Sequence, residues 1–150
     1  MSSTQRSFAD EARELEASLP RDRQVAVVRL RALHEAWARA ILGLGPKEKL
    51  VPGVRVRVES GIAPDKAAEA SAQLARAEKW QWEIGTWSSG AGEGLSSMFE
   101  VRTLQLARAW LSLGDPAAAR ALALEVQNDP NRIAARLEKH VHALLARLDG

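Results

Sequence analysis

Histidines and carboxylates are the residues with which any chemistry must start, because the chain has no cysteine. His140 and His142 stand two residues apart, a spacing that on a helix separates the side chains by about 200° and prevents them from sharing a metal ion. His34 falls on the apolar line of a predicted helix, where a core histidine is expected. Glu78 and Glu83 flank tryptophans, but no nucleophile motif accompanies them. We therefore expect a protein that is not an enzyme and that holds no metal and no organic cofactor.

The Ser- and Gly-rich stretch from Ser88 to Gly94, SSGAGEG, could be compared with phosphate-binding loops. A P-loop needs a Lys-Ser or Lys-Thr pair at its end, and a dinucleotide fingerprint needs a preceding strand and a different glycine spacing. SSGAGEG meets neither condition, so we interpret it as a connector. Ser97 and Glu100 then form an S-x-x-E capping box that predicts the start of the next helix.

The tryptophans are unevenly distributed, with three of the five between Lys79 and Gly94. At about 100° per residue, Trp80 and Trp87 share one helix face, whereas Trp82 points about 200° away from Trp80. We expect Trp80 and Trp87 in the core. Because tryptophan is enriched at interface hot spots, we expect Trp82 at a partner surface, most simply that of a two-fold homodimer. The alternative is that the segment Val54 to Ser60 covers Trp82 within one chain.

The composition favours helices, since Ala, Leu and Arg are abundant and Tyr is absent. Apolar residues recur at helical spacing over six segments, at about 4–18, 22–42, 64–87, 97–113, 116–127 and 133–148. The sequence therefore predicts an all-α fold, a compact bundle of five to six helices in a single domain over 1–150. Trp37 and Trp110 are also expected to be buried.

The one long irregular connection is predicted at about residues 43–64, where Gly and Pro interrupt the helical pattern. Within it, Val54 to Ser60, VRVRVES, alternates apolar and basic residues as a strand does. A lone strand has nothing to pair with. Three interpretations stay open: an extended arm, a strand that pairs with another chain, and a loop that crosses the helices.

The charge is nearly balanced, with 21 basic and 19 acidic residues, and the basic excess lies in residues 21–66. An alternative function is therefore a nucleic-acid-associated accessory subunit that uses this segment. The candidate phosphate contacts are Arg29, Arg39, Lys47, Lys49, Arg55 and Arg57.

The segment after Ser97 has apolar residues round about half of a helical circumference. Such a helix should be central, contacting neighbours on two sides. Arg102, Gln105, Arg108 and Ser112 are expected to form its open strip, on which a partner would dock.

The run from Leu106 to Pro130, LARAWLSLGDPAAARALALEVQNDP, resembles one tetratricopeptide repeat, a helix-turn-helix unit. The residues that carry the resemblance are Leu106, Ala107, Trp110, Gly114, Asp115 and Ala119. It extends over Met98 to Pro130 and implies a degenerate repeat within the bundle. It also implies peptide or protein binding, and the family's first-helix groove would correspond here to Leu104, Arg108, Leu111 and Ser112.

The function that the sequence favours is a non-catalytic protein-protein interaction or assembly module. Its predicted partner-binding residues are Trp82, Leu104, Arg108 and Ser112. No apolar run approaches the roughly 18 residues that a membrane helix needs, so no membrane partner is expected. The absence of cysteine fits a reducing compartment, and we expect a cytoplasmic protein.

Overall fold

A computed structural model describes residues 3–45, 50, 61–87, 91–129 and 135–149. These residues form six α-helices: α1 (Ser3–Ser18), α2 (Arg23–Ile41), α3 (Pro64–Thr86), α4 (Ala91–Leu111), α5 (Pro116–Gln127) and α6 (Ala135–Asp149). A 3-10 turn, Ser112–Gly114, joins α4 to α5. This part of the chain contains no strand, so the predicted all-α bundle is confirmed. The segment Val54 to Ser60 lies outside the described residues.

The helices pack in chain order, each against the next, and α4 also contacts α6. One apolar cluster joins α1, α2 and α3 around Leu30 and Trp80. A second joins α2, α3 and α4 around Leu74, and a third joins α4, α5 and α6 around Leu106 and Leu144. Because α4 contributes to two of these clusters, the prediction that it is a central helix is confirmed.

The turn after α4 is fixed against the start of α3. A Cβ atom added to Gly114 would lie 3.5 Å from Cβ of Pro64, an ordinary van der Waals distance, so the turn packs against the start of α3. Asp115 then caps α5, because its Oδ1 accepts a hydrogen bond of 3.2 Å from the amide of Ala118. Pro116 occupies the first turn of α5, where its missing N–H is not needed. The start of α3 and the turn from α4 to α5 are thereby held side by side.

The start of α4 differs from the prediction. Ser97 and Glu100 were expected to begin this helix, but it begins at Ala91 and includes Gly92 and Gly94. Glycine in a helix interior costs about 1 kcal/mol relative to alanine. Extending an existing helix adds one hydrogen bond per residue, and packing against a neighbour decides most helix stability in proteins. Propagation along the helix therefore extends α4 through Gly92 and Gly94 despite the weak local preference of this segment.

The predicted burial of the tryptophans is correct for Trp80 and Trp110, which are buried. Trp37 is only half-buried. The prediction for Trp87 is wrong, because its exposed fraction is 37%. Helical phase aligns Trp87 with Trp80, but Trp87 is the C-cap residue of α3, which ends at Thr86, and its indole is exposed there.

His34 is fully buried where α2 meets α3. Its Nδ1 lies 2.8 Å from Oε1 of Gln73, and its ring stacks on that of Trp37 with centroids 5.9 Å apart. An amide oxygen only accepts, so Nδ1 carries the proton, and Nε2 has no hydrogen-bond partner among the described residues. Burial lowers the pKa of His34; the hydrogen bond to Gln73 and the charge of Glu16 oppose this, and the charge of Arg76 adds to it.

The third cluster should depend strongly on Trp110. We expect Trp110→Ala to lower the free energy of unfolding by about 3–5 kcal/mol, the usual effect of deleting a buried large aromatic side chain. Trp87→Ala removes an exposed indole and should change it by about 1 kcal/mol or less. Urea denaturation of both variants measures the difference, and equal effects would contradict the central position of Trp110.

The buried His34 should make the protein less stable in acid. Its pKa is lower in the folded state than in the unfolded chain, so this contribution to stability is present above about pH 6.5 and is lost as the pH falls below that value. We expect His34→Gln to lose less unfolding free energy than the wild type between about pH 7.5 and pH 5. The exposed His142→Gln is the control. Identical pH dependence in all three proteins would rule out His34 as the source.

Candidate partner-binding site

An open groove of about 480 Å³ lies between the N-terminal half of α3 and the turn from α4 to α5. Small side chains form its α3 wall: Pro64, Ala67, Ala68, Ser71, Ala72 and Ala75. Arg108 and Leu111 of α4 and Ser112 of the 3-10 turn form the floor, and Gly114, Asp115 and Ala118 form the other wall. Because the α3 wall is built mostly of alanine, the backbone of another chain could approach it closely.

The floor of the groove is polar and held by specific contacts. Nη1 of Arg108 lies 2.8 Å from Oε2 of Glu78, which reaches across from α3. The hydroxyl of Ser112 donates to the backbone carbonyl of Arg108 at 2.9 Å. The hydroxyl of Ser71 lies 3.4 Å from that of Ser112, so α3 and the 3-10 turn are in polar contact there.

From Glu78 a chain of polar contacts continues beneath the surface. Oε1 of Glu78 accepts a hydrogen bond of 2.9 Å from Gln105, whose own Oε1 accepts one from Arg102. Arg102 also forms an ion pair with Asp129, just after α5. Glu78, Gln105 and Asp129 are all buried. We name these residues, with Arg102 and Arg108, the buried polar layer.

The electrostatics of the site follow from this pairing. Burial raises the pKa of Glu78, and Arg108, Gln105 and Arg102 act in the opposite direction. Glu125 of α5 is close enough to raise it further. Arg108 and Arg102 are each paired with an acid, whereas Asp115 and Glu125 have no basic partner among the described residues. The α5 side of the groove is therefore acidic.

Trp82 lies on the same side of α3 as the groove. At about 100° per residue, Pro64, Ser71, Ala75 and Trp82 fall within about 40° of one another. Gln73, which contacts α2 through His34, is nine residues before Trp82 and hence about 180° away. The exposed fraction of Trp82 is 38%. We name the groove together with Trp82 the groove face.

One side of the Trp82 ring is covered by Arg102, whose guanidinium carbon lies 5.2 Å from the ring centroid. Arg102 is itself fixed by Asp129 and Gln105. A guanidinium over an indole face is a favourable cation-π contact. The indole is therefore held in a defined position, although more than a third of it is open to solvent.

The structure separates the four predicted partner-binding residues. Arg108 and Ser112 line the groove, and Trp82 lies on the surface at its end. Leu104 has an exposed fraction of 2% and packs in the second cluster, so a partner on the surface would not touch it.

The prediction of an open strip along α4 is wrong. Gln105 is buried, and Arg102 and Arg108 are largely covered and paired with acids. The physical reason is that α3 and the end of α5 reach over this side of α4, which supplies the acids that neutralise its bases. Only Arg108 and Ser112 of the strip border open space, in the groove.

The predicted phosphate contacts fall mostly outside the described residues, since Lys47, Lys49, Arg55 and Arg57 are not among them. Arg29 is exposed on α2, and Arg39 lies ten residues further along the same helix and is half-buried. Two bases so placed do not define a surface for a nucleic acid. The nucleic-acid alternative stays a prediction.

Over the ranges that the structure describes, no three His, Asp or Glu side chains are placed to hold a metal ion. In that same portion of the chain, none of the helices has both the length and the apolar character required to span a membrane.

The sequence interpretation missed the buried polar layer. Its signal was present: Glu78 follows Leu74 and precedes Gln81 at helical spacing, on the side of α3 that is buried. Gln105 likewise stands between buried residues of α4. Polar residues on a core-facing side require partners, but the identity of those partners depends on how the helices pack.

Comparisons of the chain with protein-family models, with curated proteins and with solved structures find no match. The helical hairpin of α4 and α5 has the turn and the buried Ala107, Trp110 and Ala119 on which the tetratricopeptide resemblance rests. Membership of that family stays a prediction.

The buried polar layer should be sensitive to the loss of a single arginine. We expect Arg102→Ala to lower the free energy of unfolding by about 3 kcal/mol, because it removes an ion pair from the buried carboxylate of Asp129. Arg120→Ala breaks an exposed pair with Asp149 and should change it by about 1 kcal/mol or less. Denaturant melts of both variants test this. If the Arg102 variant is as stable as the Arg120 variant, the ion pair of Arg102 in the buried polar layer does not contribute to the free energy of unfolding.

Proposed function

We propose that the chain is a non-catalytic protein-protein interaction module whose groove face receives a segment of a partner protein. The observation that carries the proposal is the alignment of the groove and Trp82 on one side of α3. An alanine-lined groove admits close approach, and an exposed tryptophan is the residue type most enriched at binding hot spots.

The dimensions of the groove face suit a polypeptide. From Pro64 to Trp82 the α3 axis rises about 27 Å at about 1.5 Å per residue. A segment lying along it would contact the alanines of α3, pass Arg108 and Ser112, and end on the indole. Small-molecule pockets bury most of their ligand, whereas this groove is open along its length.

The tetratricopeptide resemblance supports the same proposal independently. Its implied groove residues include Arg108 and Ser112, which line the groove. We further propose a cytoplasmic location, since a chain without cysteine needs no oxidising compartment.

Site-specific photo-crosslinking in the cells that make the protein tests the proposal. A photoreactive residue at Ala72, exposed in the groove, should crosslink to a defined protein. The same residue at Ala143, exposed on α6, is the control and should not crosslink to it. Crosslinking that is equal at both positions, or absent from Ala72, would contradict the proposal.

The partner, once purified, allows a matched test of Trp82. We expect Trp82→Ala to weaken binding by about 2 kcal/mol, about 30-fold in the dissociation constant. Trp87→Ala removes an indole of nearly equal exposure that is about 140° away round α3 and should leave binding unchanged. Titration calorimetry measures both. Equal losses would mean that the partner does not dock on the groove face.

A further inference from the structure

We infer that a second copy of this chain occupies the groove face, docking through the outer side of α2. This rests on the proposed function, because it names an occupant for the same groove. The outer side of α2 carries Val25, Val28, Arg29 and Ala32, which fall within about 100° of arc. We name these residues the valine ridge.

The valine ridge is an exposed apolar surface, and the groove is an open depression that such a surface would cover. The exposed fractions of Val25 and Val28 are 45% and 50%. With Trp82 and Trp87, they are the large hydrophobic side chains that are exposed among the described residues. The valines are about one helical turn apart on α2, whereas the groove is a depression with an alanine-rich wall.

The charges of the two surfaces are opposite. Arg29 is exposed on the valine ridge, and the described residues provide no acid that pairs with it. On the groove face, Arg108 is paired with Glu78 and Arg102 with Asp129. Asp115 and Glu125 are therefore acids without a basic partner among the described residues. Glu125 is seven residues after the groove residue Ala118 and so faces the same way on α5. A ridge that presents Arg29 to this wall is the charge-matched occupant.

The two surfaces point in opposite directions within one copy. On α2, Val25 is nine residues from His34, about 180° from the side that contacts Gln73 of α3. On α3, Trp82 is again about 180° from Gln73. The valine ridge and the groove face therefore lie on opposite sides of the α2 and α3 pair. The contact joins unlike surfaces head to tail, which builds chains or rings of copies.

A charge swap followed by sedimentation velocity tests the inference. The wild type should show sedimentation coefficients that rise with protein concentration and fall when salt is added. Arg29→Glu and Glu125→Arg should each raise the dissociation constant about tenfold or more, and the double variant should restore it to within about threefold of the wild type. Lys139→Glu, an exposed reversal on α6, is the control and should associate as the wild type does.

Three outcomes would overturn the inference. The first is a monomer at every concentration. The second is association that neither single reversal weakens, which includes a closed two-fold dimer through Trp82. The third is a double variant that associates no better than the single variants. If the protein is monomeric but Ala72 still crosslinks to another protein, the proposed function stands and only the second copy is excluded as occupant.

Discussion

The ion pair between Glu78 and Arg108 is the contact on which the middle of the molecule depends. A carboxylate on the buried side of α3 is stable only if a neighbouring element supplies partners, and α4 supplies both Arg108 and Gln105. Arg108 and Gln105 are three residues apart on α4. Together they hold the Glu78 carboxylate at one position along the axis of α4. The ion pair therefore fixes the register of α3 against α4, which apolar contacts between alanines and leucines alone would leave less strictly defined.

That register also shapes the groove. Arg108 both pairs with Glu78 and forms part of the groove floor. Movement of its guanidinium would therefore remove this ion pair from the buried carboxylate of Glu78. Gly114 lies against Pro64 in the turn after α4, and Asp115 both caps α5 and contributes to the groove wall. At the other end of the layer, Asp129 and Gln105 hold Arg102 over Trp82. Arg108 and Asp115 thus both stabilise the bundle and line the groove.

Local signals were sufficient to predict much of the fold. Asp115 and Pro116 mark the start of α5, and its predicted range of 116–127 matches the structure. Local signals failed at two places: Gly92 and Gly94 lie within α4 although glycine disfavours helix interiors, and Trp87 is exposed although helical phase aligns it with Trp80. The site was predicted only in part. Helical phase placed Trp82 on the opposite side from the core. The ion pairs of Arg102 with Asp129 and of Arg108 with Glu78 join residues about 27–30 positions apart in the sequence. Helical periodicity detects only neighbours within one helix and so could not predict these pairs.

The chain-order packing of the helices explains why both exposed surfaces exist. In an arrangement where each helix packs against its neighbours in sequence, the side of a helix that faces neither neighbour stays uncovered. α1 covers the side of α2 that carries Val27 and Leu30 but leaves Val25 and Val28 in solvent. On the other side of α3, the turn from α4 to α5 leaves the groove open instead of filling it with a large side chain. Burial of these surfaces against another chain would remove them from solvent without any change in the fold.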